Sequence, residues 1–258
     1  MTISPAKVAL VTGGARRIGR TIALALAQRG WDVAVHYGSS ADDAQATAGE
    51  IRALGRRAVV LQCDLADEGA VKAMLPQAMR AFGGDPVTCV VNNASLFEHD
   101  DPADFSTALL DAHMHVNLAA PVLLAQALHD ITPDGMQAVV VNLLDQKLFN
   151  LNPDFLSYTL SKAALHAATT MLAQALAPRL RVVGVAPGIT LVSGNQRSVE
   201  GFAAAHSKTP LGRSSTPDDI ASTVCFVAEN RAITGTTLLV DGGQHLIPLQ
   251  RDVMFLAN

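Results

Sequence analysis

The stretch Lys7-Val8-Ala9-Leu10-Val11-Thr12-Gly13-Gly14-Ala15-Arg16-Arg17-Ile18-Gly19 decides the fold. Residues 7–11 form a short apolar run that reads as a buried strand, the loop that follows is rich in small residues, and residues 20–29 carry a helical apolar pattern. In this order the small residues let a backbone approach a pyrophosphate, and the helix start offers free N–H groups and the positive end of its dipole. An ordinary strand-to-helix turn uses similar residues, but the order of elements favours a dinucleotide loop.

The alternation begun here continues. Strands are expected at residues 31–37, 58–62, 86–91, 137–142, 181–185 and 237–240, with helices from about residue 41, over 67–82, over 106–129, from Tyr158 to Ala177, and over 217–229. Repeated βα units predict an α/β fold, a Rossmann-like doubly wound parallel sheet of about seven strands with helices on both faces. One domain spanning residues 1–258 is expected. Residues 189–216 show little periodicity and read as a lid over a site, with Gly194, Gly201 and Gly212 as hinges or plain turns.

Hydrophobic residues make up 49% of the chain and charged residues 16%, a profile suited to a sheet covered on both faces. The net charge of -4 and the lack of basic runs argue against a nucleic-acid or anionic-membrane partner. Cys63, Cys89 and Cys225 are odd in number, form no CxxC pair and sit in apolar runs, so they read as reduced core residues; no metal site is expected. No signal peptide or membrane-length apolar stretch is read in the sequence, and a cytoplasmic protein acting on a small molecule is expected.

Chemistry centres on Ser157-Tyr158-Thr159-Leu160-Ser161-Lys162, with Asp145 thirteen positions before the tyrosine. Tyr158 and Lys162 lie four apart in a helical pattern and share one face, which sets an ammonium beside a phenol. Such a cation is expected to lower the tyrosine pKa towards the range of a working acid and base. A packed ring with a solvated lysine tip would have the same spacing, so the surrounding residues must decide.

Those residues resemble the short-chain dehydrogenase/reductase family over nearly the whole chain. The matching marks are Thr12-Gly13 with Gly19, Asp64-Leu65, Asn92-Asn93-Ala94, Asn117, Tyr158 with Lys162, Pro187-Gly188 and Asp241-Gly242-Gly243. The resemblance implies Tyr158 as catalytic acid and base, Lys162 binding the nicotinamide ribose and tuning the tyrosine, and Asn117 supporting a proton-relay water. It implies that Gly13, Arg16, Arg17, Ile18, His36, Tyr37, Asp64, Leu65, Asn92, Ala94, Pro187 and Gly188 serve the cofactor. No acidic residue ends the second strand, where an NAD-preferring fold would carry one; Ser39 and Ser40 stand there, with Arg16 in reach, so NADPH is favoured. Either serine also reads as a helix cap, and Ser40 with Asp43 matches a capping box.

Two departures sharpen the resemblance: Arg17 stands where the family usually has glycine, and Asp145 where it usually has a catalytic serine. A carboxylate is a poor neighbour for a ketone oxygen that gains negative charge, but it suits a ring presenting N–H groups and taking a proton on nitrogen. Buried, it can instead be protonated and help supply that proton. With the His36-Tyr37 turn and Phe97 after Asn-Asn-Ala-Ser, these features are similar to the pteridine reductase and dihydromonapterin reductase branch. That likeness implies NADPH-dependent reduction of a pterin ring held between Phe97 and nicotinamide, with Arg17, Ser95, Asp145, Tyr158 and Thr190 in the substrate pocket, and a homotetramer. Trypanosomatid members add an Arg and a His to the His-Tyr turn, which here continues only Gly38-Ser39-Ser40. For Ser95 and Thr190, local backbone capping is the other reading. The apolar Val253-Met254-Phe255-Leu256 is read either as an interface or as part of its own core. Two alternatives stay open: a carbonyl or 3-oxoacyl reductase of the same family, and a catalytically silent cofactor sensor on the same fold.

Overall fold

The computed structural model describes residues 7–192, 206–207, 209–252 and 255. Residues 1–6, the lid glycines Gly194 and Gly201, and Val253, Met254 and Leu256 lie outside the described residues.

Seven parallel strands are β1 Val8–Val11, β2 Asp32–Tyr37, β3 Ala58–Gln62, β4 Cys89–Asn92, β5 Ala138–Leu143, β6 Leu180–Pro187 and β7 Thr237–Val240, in the order β3-β2-β1-β4-β5-β6-β7. The helices are α1 Arg17–Gln28, α2 Ala41–Ala53, α3 Glu68–Ala81, α4 Thr107–Met114, α5 Ala120–Ile131, α6 Leu156–Leu176 and α7 Pro217–Glu229. Alternate residues of β1 feed opposite faces, as strand geometry requires. Ala9 and Val11 pack with α1, α2 and α7, whereas Val8 and Leu10 pack with α3, α5 and α6. That two-sided burial explains why β1 is a continuous apolar run. The order reverses between β1 and β4, and ligands of open α/β sheets bind beyond the strand carboxyl ends at such a point.

Several boundaries differ from the sequence expectation. Helix α1 begins at Arg17, not residue 20, so the end of the glycine loop is already its first turn. The helix expected over 106–129 is two, α4 and α5, joined by a π turn His115–Ala119 that contains Asn117. Inserting one residue in a helix commonly marks a functional position, and no local sequence pattern announces it. The run Thr107–Ile131 is also long and apolar enough by composition to cross a bilayer, which corrects the reading that no such stretch exists. Its Leu124 and Leu128 are fully buried core residues under the sheet. Cys63, Cys89 and Cys225 are free and buried, and loss of hydration pushes the Cys89 thiol up to about 12.

Candidate active site

The glycine loop is held from three sides. Thr12 Oγ1 donates to Val91 O and accepts from the N–H groups of Asn93 and Ala94, tying β1 to the end of β4. Asn93 Nδ2 donates to the carbonyls of Thr12 and Gly13 at 2.9 and 3.2 Å. Gly13 takes φ +60°, and its N–H donates to His36 Nδ1 at 3.0 Å, which leaves Nε2 to donate to Cys63 O. Accepting at Nδ1 requires a neutral ring, and burial lowers the His36 pKa in the same sense. A Cβ on Gly19 would collide with the Gly13 carbonyl and Asn93, so the helix can approach the loop only as glycine. Arg17 adopts φ +54°, a left-handed conformation that costs a side-chain-bearing residue about 1–2 kcal/mol, which explains the glycine usual at this place.

Two adjoining clefts open above this scaffold. One, of about 360 Å³, is bordered by Gly13, Arg16, Arg17, Ile18, Tyr37, Ser40 and Ala94, among others. The other, of about 300 Å³, takes in Ser95, Phe97, Asp145, Tyr158, Lys162, Pro187, Gly188 and Thr190. Arg17, Ile18, Asn93 and Ser95 border both. The sequence therefore named most of the walls. His36, Ser39, Asp64, Leu65, Asn92 and Asn117 border neither cleft. His36 faces inward because Gly13 and Cys63 occupy its ring nitrogens, and the Asn92 side chain is buried against Asn142 Oδ1 at 2.8 Å. Ser40 is the N-cap of α2 but makes no side-chain capping bond, so the expected box with Asp43 is absent; Asp43 instead lies 3.5 Å from Arg16 Nε.

At the floor of the second cleft Tyr158 Oη donates to Asp145 Oδ2 at 2.8 Å, while Asp145 Oδ1 accepts from the Lys147 N–H. Lys162 Nζ donates to Leu143 O at 2.8 Å and stands 5.9 Å from the centre of the Tyr158 ring. The expectation that Lys162 lowers the tyrosine pKa is corrected here. Burial pushes the phenol well above its ordinary value, and the charge and hydrogen bond of Asp145 push it the same way. One edge of Asp145 opens to the cleft, but protein encloses the rest, and loss of hydration raises its pKa as well. Burial brings Lys162 down to about 8, against the opposing pull of Asp145. Tyr158 keeps its proton and donates it in a hydrogen bond to the Asp145 carboxyl, which makes the phenol the proton donor of this pair.

Phe97 forms one wall, stacked on Phe155 at 4.4 Å and edge-on to Tyr158 at 4.7 Å. Asn117 is wholly buried in the π turn; its Oδ1 accepts from Leu96 N and Ser95 Oγ, and its Nδ2 donates to Leu96 O and Ser161 Oγ. It positions the Ser95-Leu96-Phe97 wall against α6. Thr190 Oγ1 donates to Gly188 O and shares a hydrogen bond with Ser215 Oγ, so local bonding accompanies its place in the wall. Arg17 sends both terminal nitrogens across the opening to Val192 O at 3.0 Å.

Sequence reading missed Asn93, Gln146, Lys147, Gln244 and Asp252 among the lining residues. Asn93 stood inside a motif already singled out. Asp252 lay out of reach of any spacing rule, since it meets Lys147 across 105 positions.

A family model described as enoyl-(acyl carrier protein) reductase matches residues 13–245. Among solved structures, FolM alternative dihydrofolate reductase 1 from Brucella canis, complexed with NADP, is 45% identical with a TM-score of 0.89, over 95% of this chain and 96% of that one. Its counterpart from Brucella suis, also with NADP, is 43% identical with a TM-score of 0.86, over 96% and 98% of the two chains. The 3-oxoacyl-[acyl-carrier-protein] reductase FabG of Staphylococcus aureus is 35% identical over 256 residues, 93% of this chain and 98% of the relative.

Proposed function

Given that the chain belongs to the short-chain dehydrogenase/reductase family, we propose that this NADP(H)-dependent reductase acts on a pterin ring, taking a dihydropterin, dihydromonapterin or dihydrofolate to its tetrahydro form. The observation that carries the reading is the Tyr158–Asp145 hydrogen bond in the cleft floor. Where the family usually sets a hydroxyl beside the tyrosine, this chain sets an acid.

The residues fit the cofactor. Gly13 and Gly19 keep side chains off the loop, α1 points its free N–H groups at the first cleft, and Arg16, Tyr37 and Ser40 border its outer end. Arg16, with the unbonded cap hydroxyl of Ser40, would hold a 2′-phosphate, and Lys162 the nicotinamide ribose. When bound, NADPH supplies the hydride delivered to the C=N carbon. The protein supplies the rest: Tyr158 donates its proton to the ring nitrogen, and Asp145 meets the N–H edge of the substrate and keeps that phenol protonated. Phe97 covers the flat face of the ring, with Arg17 at a ring carbonyl, Ser95 at the heterocycle and Thr190 in the wall. Asn117 acts by positioning that wall. Kinship with the family is the ground for a homotetramer, placed in the cytoplasm.

The 35% identity to a 3-oxoacyl reductase favours one rival, a carbonyl reductase that tolerates Asp145. That chemistry builds negative charge on an oxygen beside a second negative charge, which the site opposes. An NADPH-oxidation assay separates the two. Faster turnover of a dihydropterin than of a 3-oxoacyl thioester supports the pterin reading, and robust ketone reduction with no dihydropterin activity rejects it.

A further inference from the structure

The chain returns to the second cleft after β7. Leu249 N donates to Asn150 Oδ1, Arg251 pairs with Asp154 through both carboxylate oxygens, and the Asp252 N–H donates to Asp154 Oδ2. These bonds hold residues 249–252 against Asn150 and Asp154 as a strap and bring the Asp252 carboxylate to the cleft wall. There it meets Lys147 Nζ at 3.1 Å. Lys147 is itself buried, donates to the Asp154 carbonyl, and stands 5.3 Å from the centre of the Phe155 ring. A buried ammonium and a half-enclosed carboxylate are costly to place without a partner, and this pair sits in the cleft that holds Asp145 and Tyr158.

We propose that Lys147 and Asp252 are positioning residues for the proton-donating pair: opposite charges, one from the turn after Asp145 and one from the strap, set the pH range over which Asp145 and Tyr158 work. The inference rests on the Asp145–Tyr158 pair acting in turnover; it does not need the substrate to be a pterin. Among the described residues, the charged and titratable groups around Asp145 are Lys147 on its own turn, Tyr158 and Lys162 on α6, Asp252 on the strap, and Arg17 from the glycine loop at the cleft opening. Asp252 opposes ionisation of both Asp145 and Tyr158, whereas Lys147 favours ionisation of Asp145, so removing either charge moves Asp145 in a known direction.

The test is the pH profile of kcat/KM in Asp252→Asn and Lys147→Met, each with NADPH and whichever of dihydropterin or 3-oxoacyl thioester the wild-type protein reduces. The limb belonging to Asp145 moves to lower pH in Asp252→Asn and to higher pH in Lys147→Met, by on the order of one pH unit. Asp252→Glu and Lys147→Arg keep the wild-type limb, and Lys147→Gln, which removes the same charge, stands in if the methionine variant does not fold. Loosening of the strap alone lowers activity without opposite shifts. An unmoved limb in folded Asp252→Asn overturns the inference, as do shifts in one direction from both charge removals. Opposite shifts in a protein that reduces only the thioester keep the inference and discard the pterin reading.

Discussion

Asp145 carries most of the chemistry assigned to this molecule, and it does so at a cost. Its folded pKa lies above the carboxylate value of the unfolded chain, so its stability contribution is fully present below that unfolded value and is lost as pH rises through the folded one. Asp145→Asn removes this penalty. The variant should melt at a higher temperature than wild type at pH 8, with the gap narrowing towards pH 4; an equal gap at both pH values would show that burial does not govern this carboxyl. Tyr158→Phe should reduce turnover by about 10²–10⁴-fold, since a proton donor is removed, while NADPH titration gives nearly the wild-type affinity. The motif spacing revealed the Tyr158 and Lys162 partnership, but not its electrostatics. Burial decides the sign of the phenol shift, and burial belongs to the folded site rather than to two residues four apart.

At the scale of elements, the β1–glycine loop–α1 unit depends on close approach. Gly19→Ala places a methyl group into the Gly13 carbonyl and should weaken NADPH binding more than tenfold, read by cofactor fluorescence. Gly49→Ala, on the exposed face of α2 with nothing near an added Cβ, should stabilise the protein by about 0.5–1 kcal/mol in thermal melts. Ser40→Ala is informative for the opposite reason. Because the hydroxyl makes no capping bond, the melting temperature should hardly change, whereas KM for NADPH should rise and that for NADH should not. The strand and helix alternation was legible because each element carries its own periodicity. The π turn at Asn117 and the inward-facing His36 were not, since each is set by a partner far along the chain: Ser161 for one, Gly13 and Cys63 for the other.

Taken whole, the molecule opens both clefts where a doubly wound sheet reverses order, and the alternation of βα units had predicted that doubly wound sheet. The cleft is nevertheless assembled from residues spread between Arg17 and Asp252. Its glycine-loop, Asn-Asn-Ala and Tyr-Lys walls could be read from motifs, while Lys147 and the returning strap could not, because nothing local marks a pair of charges that meet only after folding. The account stands on an acid having replaced a hydroxyl beside the tyrosine, and Asp145→Ser tests that most directly. The quantity to measure is the ratio of kcat/KM for a dihydropterin to that for a 3-oxoacyl thioester, with NADPH saturating. The ratio should fall by about 10²-fold in the variant, the worth of one well-placed charged hydrogen-bonding group. An unchanged ratio, with dihydropterin turnover intact, would contradict the account.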